Sequence, residues 1–432
     1  MLNIQSLRRN FKFMHGNVLV ISLTQTLGMF CRAAVFPYAS LYILALGGDP
    51  TQIGFVNALK PLAGLLMFPV AGYLTDHVGR VKLIALGGYL SGAILLMYVL
   101  APNWQIVALA GLLQGVMVLQ FPPMSAIIAD SLSPRDRGKG IATMNTIAGA
   151  LAMFSPFLAG VILDAYGDES GMRVLYGVMM VAYLASAAIN HRYLKETAAS
   201  SKNTVDWSAL PQAFKDAYGG VIAMFKKLPR SLRAQAVIII LGFTCNAIAS
   251  SFWVVYAKEH IGLTATEWGS ILLIETLLRT ILLIPAGIAV DRSGRTRFIL
   301  ASLTLSLVTM PLFVLSSNLV HVFLIRVAIA VANAFFGPAC MALMADTVPR
   351  DIRGRVMAAI GRGMVLLGPA SGGTGGPGMG FLTTLPVMLG SIVGGYLYSY
   401  NPTFPWLFVS AATALSILLS VLFLRDPEHA QV

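Results

Sequence analysis

Charge is what this chain has least of. Only 11% of its 432 residues are charged and 57% are hydrophobic, where a soluble domain carries roughly 25% and 45–50%. So little charge cannot cover a surface that faces water, so lipid must surround most of the chain. Acid is scarcer than base: 18 Asp and Glu against 30 Lys and Arg, a formal net charge of +12. In a soluble protein that excess would suggest nucleic acid. Here the placement of the charges decides, and no nucleic-acid partner is expected. Cysteine is nearly absent. Cys31, Cys245 and Cys340 stand singly in apolar stretches, which excludes a disulfide framework and a cysteine metal site; all three are expected to be small core residues. No Gly-Lys-Ser/Thr follows the glycine-rich run near residue 370, so a phosphate loop is excluded. No carboxylate cluster or metal motif marks either face, so neither an enzyme nor a cofactor is expected.

What the chain does have is apolar runs of about 20 residues, the length that crosses a bilayer. They fall at 17–46, 51–76, 83–101, 104–130, 141–166, 172–194, 234–258, 264–291, 298–316, 319–346, 382–400 and 404–424. The first, behind Arg8, Arg9 and Lys12, is about twice the usual 7–15-residue core of a signal peptide, and is expected to stay as a spanning helix. The expected fold is therefore an all-α membrane protein of twelve spans. It divides into 1–194 and 234–432, joined by a polar linker at 195–233. Both termini are expected in the cytoplasm. With that topology 23 of the 30 Lys and Arg fall on the cytoplasmic side, and only Arg173 and Lys258 on the other, as positive-inside bias requires. Trp104, Trp268 and Trp406 fall at outer helix starts, where an aromatic belt belongs. Within the linker, Leu210, Phe214, Ala217, Tyr218, Val221, Phe225 and Leu228 recur at helical spacing and predict an amphipathic surface helix.

The two halves share spelled-out residues. Gly72, Asp76, Gly79, Arg80 and Lys82 reappear 215 positions on as Gly287, Asp291, Gly294, Arg295 and Arg297, and Gly54 aligns with Gly269. A second pair closes the fourth and tenth spans: Ala129-Asp130 before Pro134-Arg-Asp-Arg-Gly138, and Ala345-Asp346 before Pro349-Arg-Asp-Ile-Arg-Gly354. Repeats of this kind mark secondary transporters, with the substrate site between the repeats near the midplane.

At these residues the chain resembles the major facilitator superfamily, over nearly its whole length. The resemblance implies two pseudo-symmetric six-helix bundles in the cell membrane. It implies secondary active transport of a small solute by rocker-switch alternating access, possible proton coupling, and a monomer. Arg80–Asp130 and Arg295–Asp346 pairs are expected. Asp76 and Asp291 are expected to cap neighbouring helix N-termini, and such contacts hold the cytoplasmic side shut in the family. Two departures stand out. In the fourth span, where many proton-coupled members carry a buried Arg ahead of Gln-Gly, Gly111 precedes Gln114-Gly115. In the fifth, Ser155-Pro-Phe-Leu-Ala-Gly160 only partly matches the antiporter pattern. Efflux of drugs or other lipophilic compounds is the rival within transport, and a sensor that binds without transporting is the rival outside it.

Charges deep in a span are functional candidates, because each costs about 2.5–3.5 kcal/mol to insert. Arg32, Lys60, Glu275, Arg279 and Arg326 are such residues, and Asn246 adds a polar group. Glu275 either carries a proton or is locked by Arg279, four residues on, or by Lys60. The surplus of base points to an anionic or polar small-molecule substrate. Between Gly354 and Gly394 the second half carries about 18 extra residues, centred on Gly368–Gly378. A helix over Val356–Leu367, a glycine-rich loop over about 365–381 and a span from Leu382 are expected, with Arg362 near the cytoplasmic surface.

Overall fold

A computed structural model describes residues 13–198, 206–219, 225, 228–348, 353–361, 365–369 and 380–426. Among them are twelve helical segments long and apolar enough to cross a membrane. In chain order they are α1 (Gly16–Ala45), α2 (Pro50–His77), α3 (Arg80–Val99), α4 (Trp104–Ser131), α5 (Arg137–Tyr166), α6 (Asp168–Tyr193), α7 (Arg230–Glu259), α8 (Ala265–Ser293), α9 (Arg295–Val314), α10 (Leu319–Thr347), α11 (Phe381–Tyr400) and α12 (Phe404–Phe423). Each lies within a few residues of its expected range. Arg8, Arg9, Lys12, Val221, Arg350, Arg362 and 370–378 lie outside the described residues.

The duplication extends to the helix starts. Asp49 and Thr264, 215 residues apart, each form a capping box, with Gln52 at α2 and Glu267 at α8. Asn103 and Asn318, at the same offset, cap α4 and α10. Each cap satisfies backbone N–H groups that the first helical turn leaves without partners.

Several spans are interrupted where proline removes a backbone donor. α1 passes through a 3₁₀ turn at Phe36–Tyr38. α5 breaks before Ser155-Pro156. α4 tightens to 3₁₀ over Gln114–Gln120, just ahead of Pro122 and Pro123. Inside the first bundle α6 packs on α3 and α1; inside the second, α9 packs on α10 and α12, and α7 on α12. The bundles meet where α2 crosses α11 and where Ser155–Tyr166 of α5 crosses α8.

The expected helix over Val356–Leu367 is shorter. It covers Arg353–Ile360, and residues 365–369 are non-helical and run through the interior of the second bundle. The linker helix runs over Leu210–Tyr218 and lies against α2, where the Tyr218 hydroxyl donates to the Leu65 carbonyl at 2.7 Å. The aromatic belt is also corrected. Trp268 and Trp406 are 1% and 0% exposed, because Trp406 packs into an aromatic cluster with Trp253, Tyr256 and Phe313 and Trp268 joins the core beside it.

Candidate functional site

On the face that carries the linker, the repeated loops are short. Val78 and Gly79 alone separate α2 from α3, and Gly294 alone separates α8 from α9. Gly294 has φ +90°, a conformation that favours glycine. Arg80 pairs with Asp130, and Arg295 with Asp346 at 2.7 Å, so each loop is tied to the end of the fourth helix of its bundle. Lys82 and Arg297 are exposed, and a Cβ at Gly72 or Gly287 would meet nothing within 4 Å.

Among the described residues neither Asp76 nor Asp291 caps a helix; both are exposed. Other carboxylates do that work. Glu196 accepts from the Val81 N–H at 3.1 Å, at the start of α3. Asp426 accepts from the N–H groups of Arg295 and Thr296 at 3.2 and 3.1 Å, at the start of α9. Neither cap is among the residues singled out from the sequence, although Leu194-Lys-Glu196 and Leu424-Arg-Asp426 follow the last helix of each bundle and carry the signal. E196A and D426A are each expected to lower stability by about 1 kcal/mol, the worth of a helix cap, read as a fall in Tm.

On the opposite face the bundles are bonded together. The Asp164 carboxylate of α5 accepts from the Ala265 and Thr266 N–H groups at 3.0 and 2.8 Å, using the positive end of the α8 dipole. Lys258 reaches both oxygens of Asp168 at 2.6 and 2.7 Å. Tyr38 Oη lies 2.8 Å from the Pro156 carbonyl and 3.0 Å from that of Ala265. The crossings themselves are made by glycine. A Cβ at Gly54 would overlap the Ser391 carbonyl of α11, and one at Gly269 would overlap the Pro156 carbonyl of α5. Gly160 and Gly395 answer them from α5 and α11, against Ala265 and Pro50.

In the membrane interior Glu275 is 8% and Arg326 1% exposed. Arg326 Nε and Nη2 both donate to Glu275 Oε2, at 2.9 and 2.5 Å. The expected lock by Arg279 or Lys60 is therefore replaced by one from α10. Arg326 also stacks 4.7 Å over the Trp253 ring and donates to the Gly368 carbonyl at 2.7 Å. Asn246 donates to the Leu366 carbonyl at 2.6 Å. Asn333, absent from the sequence reading, both accepts from the Leu367 N–H (2.6 Å) and donates to its carbonyl (3.0 Å). Non-helical backbone is tolerated at membrane depth only when protein or water satisfies it; here three side chains do. The cavity left beneath Leu367 and Gly368 measures about 20 Å³, room for roughly one water.

The remaining interior cations have no carboxylate partner among the described residues. Arg32 Nη1 donates to the Tyr183 hydroxyl at 3.1 Å. Lys60 Nζ donates to Asn57 Oδ1 at 2.9 Å, and Asn57 Nδ2 to Ser251 of α7 at 2.9 Å. Arg279 is half-buried. The surplus of base inside the spans therefore rests on Arg32, Lys60 and Arg279.

Known proteins carry the same organisation. The family model described as Major Facilitator Superfamily matches residues 21–258 and 235–384. An MFS-type transporter of Methanocaldococcus jannaschii is 22% identical over 96% of this chain and 97% of its own. The multidrug resistance protein MdtG of Escherichia coli is 23% identical over 87% and 92%. Among solved structures, the nucleoside transporter NupG superposes with a TM-score of 0.68 at 15% identity, covering 95% of this chain and 98% of that one. With twelve spans, a duplicated loop motif and these relatives, the chain belongs to the major facilitator superfamily and is a multi-pass solute transporter of the cell membrane.

Proposed function

We propose that the protein moves its solute by rocker-switch alternating access and that the arrangement described is the inward-facing one, with the linker face in the cytoplasm. The contrast between the two faces carries this reading. Asp164, Asp168–Lys258 and the glycine crossings hold the bundles together on one side, while Asp76 and Asp291, the residues expected to shut the other, are exposed. Positive-inside bias assigns the linker face to the cytoplasm. Arg80–Asp130 and Arg295–Asp346 fix the gate loops within each bundle and leave Asp76 and Asp291 free to engage when that side closes.

Coupling through Glu275 is the less supported route, since its carboxylate is already bonded to Arg326. Drug efflux is the second reading. Relatives named multidrug resistance protein support it, whereas the three interior cations count against a cationic drug. Accessibility tests the state. Asn145 is exposed in the linker-side half of α5. In a background with Cys31, Cys245 and Cys340 replaced, N145C is expected to react with an impermeant maleimide in inside-out vesicles at least tenfold faster than in intact cells. Equal or reversed rates would sink the assignment.

A further inference from the structure

The first bundle contains two deep cations and no deep acid. Its acidic residues, Asp49, Asp76, Asp130, Asp136, Asp164, Asp168 and Glu169, all lie at the ends of spans or between them. Lys60 crosses from α2 onto α4 at Gly111: its Cγ and Cε lie 3.8 Å from where a Cβ of residue 111 would be. The Tyr98 hydroxyl of α3 stands nearer, at 3.4 Å, so the space that a larger residue at 111 would take is shared by that phenol and by a cation from α2. Three residues on, Gln114 opens the 3₁₀ stretch, and both its amide oxygen and its amide nitrogen are buried with no hydrogen-bond partner. Three further on is Met117, against which the Tyr183 hydroxyl that holds Arg32 is placed at 3.8 Å. Gln114 and Met117, three apart in the 3₁₀ stretch, eclipse one another, and Gly111 and Gln114 are i, i+3 neighbours where the α-helix runs into it. Lys60, Gln114 and the Arg32–Tyr183 pair are therefore strung along one face of α4.

We propose that Lys60 and Gln114, set against Gly111, form the subsite that takes an oxyanionic group of the transported solute, a carboxylate or a phosphoryl group. The Lys60 ammonium has three donors, of which Asn57 takes one; the Gln114 amide has two more. An oxyanion accepts from both groups and neutralises the charge. A neutral hydroxyl would serve Gln114 and leave Lys60 uncompensated, and a cation would be repelled by Lys60. In the second bundle Arg326, Asn246 and Asn333 are already occupied by Glu275 and by the backbone of 366–368, which leaves only the half-buried Arg279 there, against Arg32, Lys60 and Gln114 in the first.

The proposal rests on the reading of the chain as a solute transporter, but its test needs no transport. Purified full-length protein is heated with benzoate, with its neutral and cationic isosteres benzamide and benzamidine, and with inorganic phosphate, at constant ionic strength. Benzoate or phosphate is expected to raise Tm by about 2 °C or more, benzamide and benzamidine by less than half of that. A response to benzoate alone identifies a carboxylate solute, and one to phosphate alone a phosphoryl solute. K60A and Q114L should each abolish the anion response, and K60A/G111K, which regrows the cation from α4, should restore it. The same response to benzamide as to benzoate, no response to either anion, or an anion response that survives K60A would each overturn the proposal. Anion binding without any counterflow in proteoliposomes would instead remove the transport reading and leave the subsite standing.

Discussion

Replacing Glu275 by alanine is expected to destabilise the protein by about 3–5 kcal/mol, the effect of removing one partner of a buried ion pair. The size follows from Arg326. At 1% exposure its guanidinium has no water to fall back on, and Glu275 takes two of its hydrogen bonds. The cation–π contact with Trp253 and the bond to the Gly368 carbonyl remain, but neither supplies a negative charge. The double variant E275L/R326M is expected to recover most of the loss, because apolar residues of similar volume replace a buried pair at little cost. It will not recover all of it, since the Gly368 carbonyl is then left without its donor, a penalty of about 1–3 kcal/mol. Thermal unfolding of the single and double variants checks both statements. If E275A were as stable as the parent, the pair would not be the structural lock described here and Glu275 would again be open to a role in coupling.

The second large effect is conformational. A leucine at Gly269 has no room while α8 crosses α5, because the first atom it adds already overlaps the Pro156 carbonyl and stands 2.8 Å from Phe157 Cα. That clash exists only while this face is closed. Overpacking of this kind costs about 1–3 kcal/mol, and each 1.4 kcal/mol is tenfold in a ratio of states. G269L is therefore expected to lower the ratio of inward- to outward-facing protein by about tenfold or more, read as slower modification of N145C in inside-out vesicles. G54L, which meets Ser391 at the symmetric crossing, should act in the same direction, and the two together more strongly. Well-folded G269L with an unchanged labelling rate would mean that the crossing does not report the state of the transporter.

Much of this architecture is legible in the sequence because the bilayer imposes it. Twenty apolar residues make a span, and the Lys and Arg distribution orders the spans. The Arg80–Asp130 and Arg295–Asp346 pairs were readable for a related reason: the repeat writes them twice, and two copies of a spacing constrain a contact that one copy does not. The alignment of Gly54 with Gly269 was also visible, but nothing in a single sequence says that two helix starts will become the two tightest crossings between bundles. Where sequence reading failed, it relied on neighbours along the chain. Arg279 lies one turn from Glu275, yet the partner is Arg326, 51 residues away. Trp268 and Trp406 stand at helix ends, yet they face protein and not lipid. The sequence places 365–367 at the end of a helix with a glycine-rich loop behind it, yet 365–369 is a non-helical interior element held by side-chain hydrogen bonds. These outcomes depend on which face of a helix meets which neighbour, and a pattern nearly uniform in hydrophobicity carries little information about facing.

That buried segment also bears on how the two halves divide their labour. By gripping Asn246 on α7 and Asn333 and Arg326 on α10, with Glu275 of α8 joined through Arg326, it braces three helices across the middle of the second bundle. Among its described residues the first bundle has no such brace; it holds the 3₁₀ stretch of α4 and the interrupted α1, which α7 matches with a break at 250–252. One segment thereby ties α7, α8 and α10 into a single hydrogen-bonded unit. Those three helices are expected to shift together when the halves rock, and Lys60 stands in the half without that tie.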